Sequence, residues 1–448
     1  MTEVPVIEHL GERVSLVRTK RLALICLIIM LSAFVSAKTL TVWLTGVNNE
    51  VLNIYRDLVE EKFTPITGIE VEFTNLSWGD FENRFILAAA TGDAPDVGGM
   101  GPLFAPELGI RGAVIDLRAT FPDFDEVVKN LYPAVFRSLS YQGSVFGVHF
   151  DANFAMTGFQ RDDILQQHGI GSLDTWDDVR KALPKLQANG SNLSLAWQLT
   201  TDLYEDVNMF MWQHGGDDYT PDLKASGYDQ PEAIRGFTEY VELYTKHGID
   251  RASPQIQAFA DGSLFYFIQQ PPWYSNLLVA HPQLQGKWSV VQVPGTVRDG
   301  VLHRESSVAG NALAIFRSSN MKEEAWSFIK WIISEPIQVE IAKRTLASSA
   351  GRLVLPADLN ALAKVDLPER DIEVYKKALA EGTTSIYGLV APRHRRRYLQ
   401  FAAEEAILLN VSPEEALVKY AEEHNFEIKK KEVEYARFIQ KLLEEQRK

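Results

Sequence analysis

The stretch Trp78–Gly101, WGDFENRFILAAATGDAPDVGGMG, leaves few choices for the fold around it. Phe81, Phe85, Ala88 and Ala89 recur at the spacing of one buried helix face. Gly92 tolerates a left-handed helix C-cap, and Pro95 forbids further helix and pushes its predecessor toward extended backbone. Asp96-Val97 then enters a short buried strand, and Gly98–Gly101 keeps the loop after it narrow. The predicted order is helix, tight turn, strand, and an open glycine loop at the strand's C-terminal end. In open α/β sheets that edge holds ligands.

The flanking sequence extends this unit. Thr39–Leu44 (TLTVWL) is a β-rich apolar run, followed by a loop in which Asn48 or Asn49 can cap a helix carrying Leu52, Tyr55, Leu58 and Val59. Ile69, Val71 and Phe73 alternate as a second strand that delivers Trp78 to the next loop. Strand, helix, strand, helix, strand in close succession is the signature of a parallel α/β sheet. Tyr141–Phe150 reads as a hairpin feeding a strand, and beyond Phe154 the pattern restarts with more helices. Helices are predicted from Thr175 through Leu186, over Asp206–His214 and over Glu232–Tyr244. Strands are predicted over Leu193–Leu199, Leu264–Ile268 and Val308–Phe316, with Gln269–Leu277 a loop after the second of these. Asn320–Glu323 has the form of a capping box, and Ser412-Pro413-Glu414-Glu415 opens a last helix with a charged, solvated end. A chain of 448 residues has room for two such domains.

The N-terminus reads as an export signal. Arg18, Lys20 and Arg21 precede the apolar run Leu22–Val35, with Val35 and Ala37 at the −3 and −1 positions of a cleavage site. The run is short for a membrane span of about 20 residues. Residues 1–16 are too polar and acidic for a signal, which places the expected translation start nearer Val17. Cleavage after residue 37 predicts a periplasmic or extracellular protein. The single cysteine, Cys26, lies inside the signal, so the mature chain has no disulfide and no thiolate metal ligand. Cleavage removes four basic residues (Arg13, Arg18, Lys20, Arg21) and three acidic ones (Glu3, Glu8, Glu12), so the formal charge of −14 barely changes. A surface so acidic repels phosphate backbones and excludes nucleic acid as a natural partner.

No phosphate loop, zinc-protease helix or nucleophile elbow is present, and the scattered histidines lack metal-ligand spacing, so neither cofactor nor metal is expected. Carboxylates are too numerous to exclude a glycosidase-type pair. The informative pattern is aromatic: Trp78, Trp197, Trp212, Trp273 and Tyr274 fall near predicted element ends. Sugar rings stack their C–H faces on indole while amides and carboxylates take the hydroxyls. Core packing is the competing role for Trp197 and Trp212, whereas Pro271-Pro272 is expected to hold Trp273 in a rigid loop. Arg393–Arg397 is the one concentrated basic run, either a solvated surface or a site for an acidic sugar, since guanidinium forks match carboxylates.

Several motifs, taken together and in order, resemble those of the extracellular solute-binding proteins of bacterial ABC importers, in the carbohydrate-binding, maltose-binding-protein-like group. They are TLTVWL, FILAAATGDAPDV, Gly147-Val148 with Gly158–Gly169, LDTWDDVRKAL, Phe259–Ile268 with Gly262, PPWYSNL, VAGNALAIFRSSNMKEEAWSFIKWI and SPEEAL. The resemblance implies a two-lobed periplasmic-binding-protein fold of mixed sheets flanked by helices. The N-terminal lobe would comprise 38–150 plus 306–345 and the C-terminal lobe 151–305 plus 346–448. A mono- or oligosaccharide would lie in the cleft between lobes joined by crossing strands. By position the implied contacts are Asn48, Trp78, Met100, Asp151, Asn153, Trp273, Gly310 and Asn311. To these the residue patterns add Trp197, Trp212, Tyr274 and Arg393. Two positions depart from the family: His149 stands where proline is usual, and Met100 where maltose-binding protein has a stacking tryptophan. The implied partners are the ligand and the transmembrane subunits of a permease, with the receptor itself a monomer and not an enzyme. The rival from another class is a secreted carbohydrate-active hydrolase or lyase.

Overall fold

A first strand, β1 (Lys38–Thr45), is followed by helix α1 (Asn49–Leu58), strand β2 (Ile69–Leu76), helix α2 (Phe81–Thr91) and strand β3 (Val97–Met100). This computed structural model describes residues 38–196, 201–251, 255–348 and 352–446. The expected export signal and Trp197 lie outside the described residues. The predicted β-α-β-α-β unit is present. Phe81, Phe85 and Ala88 are the buried face of α2, and Gly92 closes it at φ 84°. Asp96 locks the unit: its carboxylate accepts from the Thr41 amide and hydroxyl of β1 (2.9 and 2.8 Å) and from Ser319 (2.6 Å).

The chain continues through β4 (Val148–His149), β5 (Thr157–Gln160), α3 (Trp176–Gln187), β6 (Asn192–Ser194), α4 (Thr201–Gln213), α5 (Pro231–Thr245) and β7 (Leu264–Gln269). It then forms α6 (Pro272–Ala280), β8 (Ser289–Val291), β9 (Ala312–Ile315), α7 (Lys322–Ile332), α8 (Glu335–Leu346), α9 (Glu369–Glu381), α10 (Pro392–Leu408) and α11 (Pro413–Gln446). Two main sheets result. The first runs β2-β1-β3-β9-β4 and is mixed: β1 pairs in parallel with β2 and β3, while β9 is antiparallel to both β3 and β4. The second runs β8-β5-β7-β6. All six residues of β7 are buried, as a strand covered on both faces requires.

Three segments run side by side between the sheets. Phe150 and Phe154 donate from their amides to the carbonyls of Asn311 and Ala309 (both 3.0 Å), Met156 to Ser307 (2.8 Å) and Ala152 to Leu355 (2.8 Å). The chain therefore crosses near 150–156, 306–311 and 352–357. Helix α11, about 50 Å long at 1.5 Å per residue, also spans the molecule. Leu417 and Ala421 near its start join the core of the second sheet's helices, whereas Tyr435 and Leu442 join the core around the first sheet.

Several local expectations need correction. Gly98, Gly99 and Met100 belong to β3 and not to a loop. A Cβ on Gly98 would fall 2.7 Å from Phe316 and one on Gly99 2.6 Å from Leu44, so the glycines let neighbouring side chains lie directly on a central strand. The predicted loop over Gln269–Leu277 is largely helix α6, because Pro271 and Pro272 preset helical φ at its first turn. The capping box at Asn320 does not form: α7 starts one residue late, with Met321 at the N-cap and the Ser319 hydroxyl accepting from its amide (3.0 Å). By contrast Thr175 and Asp178 make a complete box on α3, and the Ser412 hydroxyl accepts from Glu415 at the start of α11 (3.1 Å).

Candidate functional site

A cavity of about 850 Å³ opens where the C-terminal ends of β1 and β2 face the crossing segments and the start of α10. That size is typical of small-molecule sites. On the first wall, Asn48 caps α1 through its side-chain oxygen, which accepts from the Val51 amide (2.8 Å), and its remaining surface lines the cavity. Trp78 follows β2 and is 44% exposed, a large exposure for an indole. Its ring lies over Gly46, whose φ of 66° and missing Cβ make room: a Cβ there would fall 1.8 Å from the indole nitrogen. The ring meets Phe81 edge-on at 5.5 Å and Phe154, from the first crossing segment, at 6.2 Å.

Asp151 forms the floor and is nearly inaccessible. Its carboxylate accepts from the Asn311 amide (2.9 Å), the Asn311 side chain (2.8 Å) and the Asn153 amide (3.2 Å). Burial raises its pKa to about 6, against those hydrogen bonds and the nearby Arg352 guanidinium, which act to lower it. Asn153 in turn accepts from the Leu355 amide (2.9 Å), tying the first crossing to the third. Gly310 lies beneath Asp151, where a Cβ would fall 1.7 Å from the Asp151 carbonyl oxygen. Just behind this floor His149 is fully buried and bonded to the Tyr132 hydroxyl (2.7 Å), and burial pushes its pKa down to about 3, so it is neutral.

The second wall is the first turn of α10. Arg393, Arg396 and Arg397 line the cavity, whereas Arg395 points the opposite way into the interior. There Arg395 pairs with Asp218 (2.6 Å) beside the Tyr204 hydroxyl (2.9 Å). Arg393 reaches across the opening to Glu82 of α2 at 2.5 Å.

Asn48, Trp78, Asp151, Asn153, Asn311 and Arg393 thus surround one cavity, with Gly310 supporting it. Four other expected residues do not reach it. Met100 is fully buried in β3. Trp212 is buried on α4 and donates to Asp217 (3.3 Å). Trp273 sits in the first turn of α6, half-buried against Phe267, and Tyr274 is buried and donates to Asp371 (2.8 Å). Tyr55, Glu82, Phe154, Gln270, Arg352, Arg396 and Arg397 also line the cavity and are not among the contacts expected from the sequence, where Arg393 alone stands for the basic run. A usable signal for Arg396 and Arg397 was present: positions 393, 396 and 397 share one helix face once Pro392 starts a helix. No cluster able to hold a metal occurs among the described residues.

Solved structures similar to the chain share this architecture. The sugar-binding protein MalE from Xanthomonas citri superposes with a TM-score of 0.75 at 17% identity, over 89% of this chain and 99% of that one. The cyclic alpha-maltosyl-1,6-maltose binding protein of Arthrobacter globiformis gives 0.73 at 19% identity, over 87% and 98%. An ABC transporter solute-binding protein of Thermotoga lettingae, bound with alpha-D-tagatose, gives 0.71 at 19% identity, over 87% and 100%. No protein of curated function matches in sequence. A family profile described as bacterial extracellular solute-binding protein matches residues 60–362, about two thirds of the sequence. The chain belongs to the bacterial extracellular solute-binding protein family.

Proposed function

We propose that the protein is the sugar-capturing receptor of an ABC importer. The observation that carries this reading is the composition of the cavity. An exposed indole stands beside amide side chains, between a wall at the end of the first sheet and helix α10, which packs in the core of the second, with the crossing segments as floor. A sugar presents that combination of apolar ring faces and hydroxyls. The similar structures described as sugar-binding support the ligand class.

In this reading the lobes are 38–150 plus 306–345 and 151–305 plus 346–448, with the end of α11 packed back against the first lobe, and the cavity is their interface. Sugar that touches Trp78 on one wall and α10 on the other stabilises the closed arrangement, because only that arrangement supplies both sets of contacts. A ligand touching one wall alone would shift nothing. The closed form, a monomer exported past the membrane by residues 1–37, docks on the permease.

The receptor is not an enzyme in this reading. The similar solved structures are described as binding proteins, which supports a receptor over a hydrolase or lyase. Thermal-shift measurement against a panel of mono- and oligosaccharides, with product analysis of the same samples, tests this. Stabilisation without products is expected. Products, or stabilisation by no saccharide, would overturn it.

A further inference from the structure

The cavity walls carry an uneven charge. Four arginines line them, Arg352, Arg393, Arg396 and Arg397, against two carboxylates, Glu82 and Asp151, and there is no lysine or histidine among the lining residues. Asp151 is consumed by Asn311 and the Asn153 amide. Glu82 serves Arg393 alone among the described residues. Arg352, Arg396 and Arg397 form no ion pair with a carboxylate among the described residues, and the nearest aromatic support is Phe401, 5.7 Å from the Arg397 guanidinium. Two polar atoms at the same cavity are buried without a partner: Nε of Arg396, a donor, and Oδ1 of Asn311, an acceptor. Behind the wall lies buried Glu107, whose charge Arg393 senses.

All this sits in a chain of net charge −14, which disfavours anions at long range. Closing such a cavity on a neutral sugar would strip water from the Arg396 and Arg397 guanidinium groups, which have no carboxylate partner among the described residues, a costly burial. A ligand that brings its own anion removes that cost. Guanidinium forks at the i, i+3 and i+4 positions of one helix face match the oxygen pairs of a carboxylate, phosphate or sulfate.

We propose that the captured ligand is an anionic saccharide, whose acidic group is held by Arg393, Arg396 and Arg397 at the start of α10. Glu82 pairs with Arg393 from the opposite wall, and the ligand's anion competes with Glu82 for that guanidinium. The ring of the same sugar lies toward Trp78, and one of its hydroxyls donates to the orphaned Asn311 oxygen. The inference rests on the receptor reading and refines it.

Calorimetric titration of the mature protein with matched pairs tests it. The pairs are digalacturonate and galactobiose, a sulfated disaccharide and its unsulfated parent, and glucose 1-phosphate and glucose. In at least one pair the acidic member should bind at least about tenfold tighter than its neutral partner, roughly 1.4 kcal/mol. That preference should shrink as salt rises. The pair that responds identifies the acid as carboxylate, sulfate or phosphate. Arg396→Gln and Arg397→Gln, each checked for an unchanged melting temperature, should abolish the preference while leaving weak binding of the neutral partner. If neutral partners bind as tightly as acidic ones in every pair, the anion proposal falls and the receptor reading stands. If no member of any pair binds, the anion proposal falls too. A preference that survives both substitutions would also overturn it, since the acid would then be recognised elsewhere. Release of products would instead remove the receptor reading itself.

Discussion

Trp78 and Asp151 mark the two physical extremes of the site. Trp78 leaves nearly half its surface in water, which costs apolar burial that a core tryptophan would gain. The backbone accommodates it specifically, with Gly46 in the left-handed region beneath the ring. Trp78→Ala should therefore reduce saccharide affinity at least about tenfold, about 1.4 kcal/mol, with little effect on the melting temperature, as read by titration calorimetry and thermal melts. Unchanged affinity would remove it from the site. Asp151 is the opposite case, a carboxyl taken out of water at the crossing of the chain. It keeps its proton to about pH 6 when folded, whereas the unfolded chain releases it near 3.8. The folded state thus binds more protons between those values, and its stability falls as pH rises through that window. Relative to Asp151→Asn, the wild type should lose up to about 3 kcal/mol between about pH 4 and pH 6, measured by urea unfolding. Parallel curves for the two proteins would contradict the assignment.

Helix α10 divides four arginines, Arg393, Arg395, Arg396 and Arg397, between two tasks. Arg395 is fully buried against Asp218 and Tyr204, so Arg395→Ala would strand the Asp218 charge in the interior. The expected loss is about 3–5 kcal/mol in chemical unfolding. Arg396→Ala, one residue on, should leave stability within about 0.5 kcal/mol while weakening ligand binding. The sequence shows the run but not its split, which depends on where the helix begins. The same dependence explains what else was legible. Composition and periodicity set out β1, α1, β2 and α2. Trp78 also stands out as an aromatic at an element end, whereas Asn48, Asp151, Asn153 and Asn311 follow as contacts only from the family resemblance, and all five surround one cavity. Trp273 and Tyr274 missed it because Pro271-Pro272 starts a helix as readily as it ends a strand, and the choice between them rotates both rings onto Phe267 and Asp371. Met100 missed it because the glycines before it serve tertiary packing against Phe316 and Leu44, a reason that local sequence does not display. Arg352 and Gln270 arrive from distant segments, so no spacing rule points to them.

At the scale of the molecule, the proposed capture moves the two walls relative to each other about the crossing segments. Four backbone hydrogen bonds tie 150–156 to 306–311 and 352–357, and these segments, with α11, are the connections that such a hinge would bend. Gly310 is at its tightest point, and a Cβ there collides with the Asp151 backbone, so Gly310→Ala should lower the melting temperature and alter affinity together. Thermal melts and titration of one protein preparation check this, and a variant with both values unchanged would take Gly310 out of the hinge. The direct test of the account as a whole is a crystal structure of the protein with a saccharide selected by the thermal-shift panel. Sugar density is expected inside the cavity, with one ring against Trp78 and polar contacts to the start of α10, so that both walls are bridged. Density outside the cavity, or a sugar touching only one wall, would contradict it.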